Sequence, residues 1–69
     1  MLMQHYAITL YGTTKAAPFA VVRFDRGVFE EYRAGRWRRT DRYDGILTGD
    51  FVDYEPVTAD EAEAITKAR

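Results

Sequence analysis

The densest chemistry in the sequence lies between Arg33 and Arg42, where five arginines, Arg33, Arg36, Arg38, Arg39 and Arg42, share ten positions with the single tryptophan, Trp37. Guanidinium groups pair bidentately with carboxylate or phosphate, and an indole stacks on a base, so the run has the composition of a footprint for an acidic partner or a nucleic acid. Strand alternation competes with that reading. Arg36 and Arg38 would point to one face and Trp37 and Arg39 to the other, which makes Trp37 a core side chain flanked by solvated cations. A net charge of −1 and a pI near 5.7 rank nucleic acid behind protein, because nucleic-acid binders carry a clear basic excess. Tyrosines anchor interfaces at low entropic cost, although in so short a chain most also serve the core. The expected partner-binding set is therefore Arg33, Arg36, Trp37, Arg38, Arg39, Arg42, Tyr43 and Tyr54.

Other reactive groups are sparse. The chain has no cysteine, serine or asparagine, which removes Ser-His-Asp and Cys-His nucleophiles and thiolate metal sites. His5 is the sole histidine and reads as structural or exposed. Asp44, Asp50, Asp53 and Glu55 could hold a hard cation, but their spacing matches no EF-hand loop and reads as a solvated acidic face. Asp53 and Glu55 would share one strand face, with Arg36 or Arg38 as candidate cover. Glu30 and Glu31 alternate along a strand, Glu31 on the side of Phe29. No catalytic residue, cofactor or metal site is expected, and the chain reads as a non-enzyme.

These side chains need elements to carry them. The 69 residues are 46% hydrophobic and 30% charged, which describes one domain over 1–69. A domain this short buries only about 60% of its unfolded surface, so its ten aromatic residues, or self-association, must supply stability. Charge is segregated: residues 1–22 sum to +1, residues 23–42 to +3 and residues 43–69 to −5. The halves give a dipolar surface if the fold keeps them apart, or internal salt bridges if they meet. No apolar run approaches a membrane span or signal-peptide core, so no membrane contact and a cytoplasmic location are expected.

Gln4 to Tyr11 alternates as a half-buried strand followed by a Gly12 turn, and Phe19 to Phe24 is a dense β-branched and aromatic second strand. Asp25-Arg26-Gly27 suits a type I turn with a bulge before a third strand, Val28 to Arg33. Ala34-Gly35 then offers a two-residue turn into Arg36 to Thr40. Tyr43, Ile46 and Leu47 suit one helical turn, and Phe51 to Glu55 an edge strand ended by Pro56. Thr58 and Glu61 form a capping box opening a helix that Lys67 and Arg69 close, with Ala62, Ile65 and Ala68 as its apolar stripe.

The run from Phe19 to Ile65, carried by Gly35-x-Trp37 and by Pro56-Val57-Thr58-x-x-Glu61-Ala62, resembles small uncharacterised proteins of actinobacteria and their phages. That resemblance implies a small α+β domain and brings no catalytic residues.

The sequence thus predicts an α+β fold: a small antiparallel sheet of four to five strands, built as a meander, with one C-terminal helix packed on one face. Expected core residues are Ile8, Leu10, Val22, Phe24, Trp37, Ile46, Leu47, Val52, Val57 and Ile65, with strand register choosing Val22 over Val21. The expected role is a protein-interaction module, of phage or regulatory type, that binds and modulates a larger protein. A homo-oligomer formed through an open sheet edge, or a nucleic-acid module using residues 33–42, are the alternatives.

Overall fold

Two glycines set the register of the sheet. Strands β2 (Ala20–Asp25), β3 (Val28–Arg33) and β4 (Arg36–Thr40) are joined by two-residue loops, with Asp25 opposite Val28 and Arg33 opposite Arg36. Such loops need positive φ at both central residues, because that backbone matches the right-handed strand twist. Gly27 (φ 80°) and Gly35 (φ 82°) adopt it without a Cβ penalty, while Arg26 (φ 53°) and Ala34 (φ 51°) accept it with one. The bulged turn expected at residues 25–27 is therefore a plain two-residue turn.

A computed structural model describes residues 3–68. Strand β1 (Gln4–Ile8) pairs antiparallel with β2, and β5 (Tyr54–Val57) pairs antiparallel with the other side of β1, giving the order β4-β3-β2-β1-β5. The fold is α+β, with β1 to β4 as a meander and helix α2 (Ala59–Lys67) packed on β1 and β2. Because β4 and β5 occupy opposite edges, the connection between them crosses one sheet face, carrying the single turn of α1 (Gly45–Thr48). Among the described residues no helix is long and apolar enough to cross a membrane.

Both faces are thus covered, by different elements. Under the crossing lie Ile8, Ala20, Val22, Phe29, Tyr43 and Ile46, with Tyr6, Leu10, Phe24, Phe51 and Tyr54 packed around them. On the other face Ala7, Val21 and Ala62 are buried where α2 docks. Val21 and Val22 are consequently both buried, where alternation had required a choice between them. Leu47 (59% exposed) and Val52 (73% exposed) are corrected from core to surface, because the crossing turns Tyr43 and Ile46 inward and leaves these two outward. Val57 and, on α2 itself, Ile65 are half-buried, and Ala68 is exposed.

Boundaries moved where side chains overrode alternation. Strand β1 stops at Ile8 because Leu10–Gly12 curls into a 3-10 turn, with Tyr11 at φ 60° and the Thr13 hydroxyl donating to the Leu10 carbonyl at 2.9 Å. Strand β5 includes Pro56 and does not end before it. An edge strand tolerates proline where the missing N–H would face solvent.

Helix α2 begins as its capping box dictates. The Glu61 amide donates to Thr58 Oγ1 at 3.0 Å and the Thr58 amide donates to Glu61 Oε1 at 2.8 Å, while Lys15 Nζ lies 3.2 Å from Glu61. These contacts hold the Glu61 carboxyl below the usual range, the Thr58 amide first. Arg69, expected to close the helix, lies outside the described residues. Thr58→Ala removes one half of the box and is expected to cost about 0.5–2 kcal/mol. Urea unfolding would show it as a lower midpoint at unchanged slope, and an unmoved midpoint would contradict the cap.

Candidate functional site

Strand β4 is an edge strand, and its geometry follows from the loop that starts it. A two-residue loop closes on a hydrogen-bonded pair, Arg33 with Arg36, so Arg36, Arg38 and Thr40 direct their backbone groups to β3. The N–H and C=O of Trp37 and Arg39 face outward, and among the described residues no strand or loop bonds to them.

The side chains of the 33–42 run fall on both sides of this edge. Arg33, Arg36 and Arg38 share the face of Phe29 and Glu31, under the crossing, while Trp37 and Arg39 share the helix face with Tyr32 and Glu30. Arg33, Arg36, Arg38 and Arg39 are all exposed, and among the described residues none has a carboxylate within 4.0 Å. Arg42 is also exposed and interacts with the Tyr43 hydroxyl.

Trp37 is not in the core. Helix α2 packs on β1 and β2 and leaves the β3 and β4 part of that face open, so the indole is only half-buried. A surface cluster holds it instead. The Arg23 guanidinium lies 4.2 Å from the ring centroid, with Tyr32 edge-on at 5.3 Å and His5 edge-on at 6.5 Å. Arg23 Nε in turn donates to Glu30 Oε1 at 2.7 Å. A cation over an indole contributes about 0.5–1 kcal/mol at such a site. The meeting of Arg23, Glu30 and Tyr32 around the indole is a matter of cross-strand register, which no single segment announces: His5 faces Arg23, Arg23 faces Glu30 and Tyr32 faces Trp37.

On the opposite face, Glu31 is only 5% exposed, and its Oε2 accepts a hydrogen bond from the Tyr43 hydroxyl at 2.9 Å. Burial, and then the bond to Glu31, push the Tyr43 phenol up to about 12. Glu31 lies at one side of a cleft of about 520 Å³ that Phe19, Tyr32, Arg33 and Arg42 also line. Two residues of the expected set therefore leave it: Tyr43 is 2% exposed, and Tyr54 is half-buried against Tyr6 (5.4 Å) at the opposite edge. The remaining six line or flank one edge. Asp53 and Glu55 sit at the far side of the sheet, about 19 Å away at the usual strand spacing, beyond any cover from Arg36 or Arg38. Among the described residues no three His, Cys, Asp or Glu side chains form a metal-binding group.

In comparisons with known proteins, no family model matches the chain, and no curated protein or solved structure matches it. The site is therefore read from its own geometry.

Two measurements test that geometry. Trp37→Ala is expected to cost about 2 kcal/mol, below the ~3–5 kcal/mol of a fully buried aromatic, with cooperative melting retained. Loss of the transition would return Trp37 to the core. Burial first, and the Arg23 charge second, lower the His5 pKa below its ordinary 6.5. The folded pKa is then below the unfolded one, so neutral His5 contributes fully above about pH 6.5 and its contribution is lost as pH falls through the folded value. An NMR titration of the His5 ring should give a midpoint below 6.5 that rises in Arg23→Met, and a midpoint at or above 6.5 would contradict the cluster.

Proposed function

We propose that the chain is a non-enzymatic protein-interaction module that docks its β3–β4 hairpin on an acidic segment of a larger protein, whose activity it modulates. One observation carries this reading: four exposed arginines that, among the described residues, make no ion pair flank both faces of an open edge strand, with a half-buried tryptophan among them. Charges on an edge strand also discourage aggregation, but lysine serves that purpose as well. The guanidinium fork adds bidentate carboxylate recognition, and arginine and tryptophan are the side chains that dominate interface energetics.

The separation of charge supports a protein over a nucleic acid. Glu55 of β5, at the far edge, and the acids of α2, on β1 and β2, lie away from the β4 arginines, so a long polyanion bound at β4 meets repulsion as it extends over the molecule, whereas a short acidic segment does not.

Capture from nuclease-treated lysate of the source cell, with wild-type protein and with Arg36→Glu/Arg38→Glu, tests the reading. A protein captured by the wild type at low salt, and held more weakly as salt rises, should be lost by the double variant, whose melting temperature should barely change because both side chains are exposed. Equal retention by the two proteins would remove the arginine face. Recovery of nucleic acid alone from a parallel lysate left without nuclease, with log affinity falling by about 0.9 per neutralised phosphate for each decade of salt, would replace the protein partner by a duplex.

A further inference from the structure

The two edges of the sheet are not equivalent. Along β5, the bond from the Thr9 amide to the Asp53 carbonyl (2.8 Å) and the pairs Ala7 with Glu55 and His5 with Val57 turn the odd-numbered residues inward. The outward donors would come from Tyr54 and Pro56. The Tyr54 amide is already bonded to the Val52 carbonyl at 2.9 Å, and Pro56 has no N–H. That edge offers no donor to another strand. Along β4, the outward N–H groups of Trp37 and Arg39 make no such bond among the described residues. One edge is closed to strand addition and the other is open.

What can occupy the open edge is set by the side chains around it. A second copy paired antiparallel through β4 about Arg38 would set Arg38 against Arg38, and like charges directly opposite are destabilising. Pairing β4 with the β5 edge of another copy fails for want of donors on β5. The arginines and Trp37 also stand on both faces of the edge, and a ligand lying on either face reaches only half of them. A strand in the plane of the sheet reaches both, because its own side chains alternate.

Building on the proposed interaction role, we infer that β4 receives an extended acidic strand of the partner. Its backbone bonds to the outward groups of Trp37 and Arg39, its carboxylates face Arg36, Arg38 and Arg39, and an apolar side chain covers Trp37. Added strands draw affinity from main-chain hydrogen bonds and specificity from alternate side chains. The side chain opposite Arg38 sits at a position without ladder bonds, where strands approach most closely, so a carboxylate there is in the best place for a bidentate pair.

The probe is an end-blocked peptide, Thr-Glu-Glu-Ile-Glu-Thr, with versions N-methylated at one residue at a time, titrated into the full chain. The amide protons of Trp37 and Arg39 should become protected from solvent exchange on binding, while those of Arg36 and Arg38, already bonded to β3, should change little. N-methylation should weaken binding by at least about tenfold at alternate peptide residues and leave the residues between unaffected. Equal tolerance of methylation at every residue, with affinity still lost in Arg36→Glu/Arg38→Glu, would overturn strand addition while leaving an acidic contact in place. Absence of binding by the unmethylated peptide would overturn strand addition as well. The interaction role fails separately, if lysate capture is indifferent to the same double variant.

Discussion

The hydrogen bond from the Tyr43 hydroxyl to Glu31 pins the segment on which the whole arrangement depends. A buried carboxylate without a donor costs about 1–3 kcal/mol or more, so the chain leaving β4 must bring a donor back over the sheet. Tyr43 does so, and in doing so commits the following residues to cross towards β5 on that face. Ile46 and Phe51 then close the core over Ile8, Val22 and Phe29, and the crossing ends where β5 can pair with β1. With the crossing on one face, α2 is free to cover the other, and it packs chiefly on β1 and β2. The exposure of Trp37 is a by-product of that division of labour.

Local signals in the sequence were legible where the chemistry was local. Gly27 and Gly35 located both hairpins, Thr58 and Glu61 located the helix, and the alternation of β3 placed Glu31 beside Phe29. The sheet of four to five strands that these signals and strand alternation predict has five, with the C-terminal helix on it. The failures lie where burial depends on what a distant segment does. Tyr43 was read as an interface ring because its partner, Glu31, is twelve residues away on another element. The sequence puts Trp37 in both the core set and the partner-binding set, because a large indole in a strand suits either and nothing local says where α2 stops. Leu47 and Val52 are apolar by type, but a crossing segment has one buried side, and Tyr43, Ile46 and Phe51 occupy it.

The charge pattern shows the same split. The segregation of basic and acidic residues was plain in the sequence, but whether the two would neutralise each other was a question of strand order. The order β4-β3-β2-β1-β5 answers it by setting the arginine hairpin at one edge and Glu55 of β5 at the other. Arg23 and Glu30, in the middle, do pair, and their ion pair serves to hold a guanidinium over the indole.

The two short loops also bear on how the domain assembles and comes apart. Strands β2, β3 and β4 join neighbours through two-residue turns, so their pairing closes almost no loop, whereas pairing β1 with β5 brings His5 to Val57 across most of the chain. Closure entropy grows with the length enclosed and weighs on the second kind of contact. Partial opening is therefore easiest at β5 and α2, the elements that close the longest loop. The arginine edge belongs to the locally wired half of the molecule, whose strand pairing does not wait on closing that long loop.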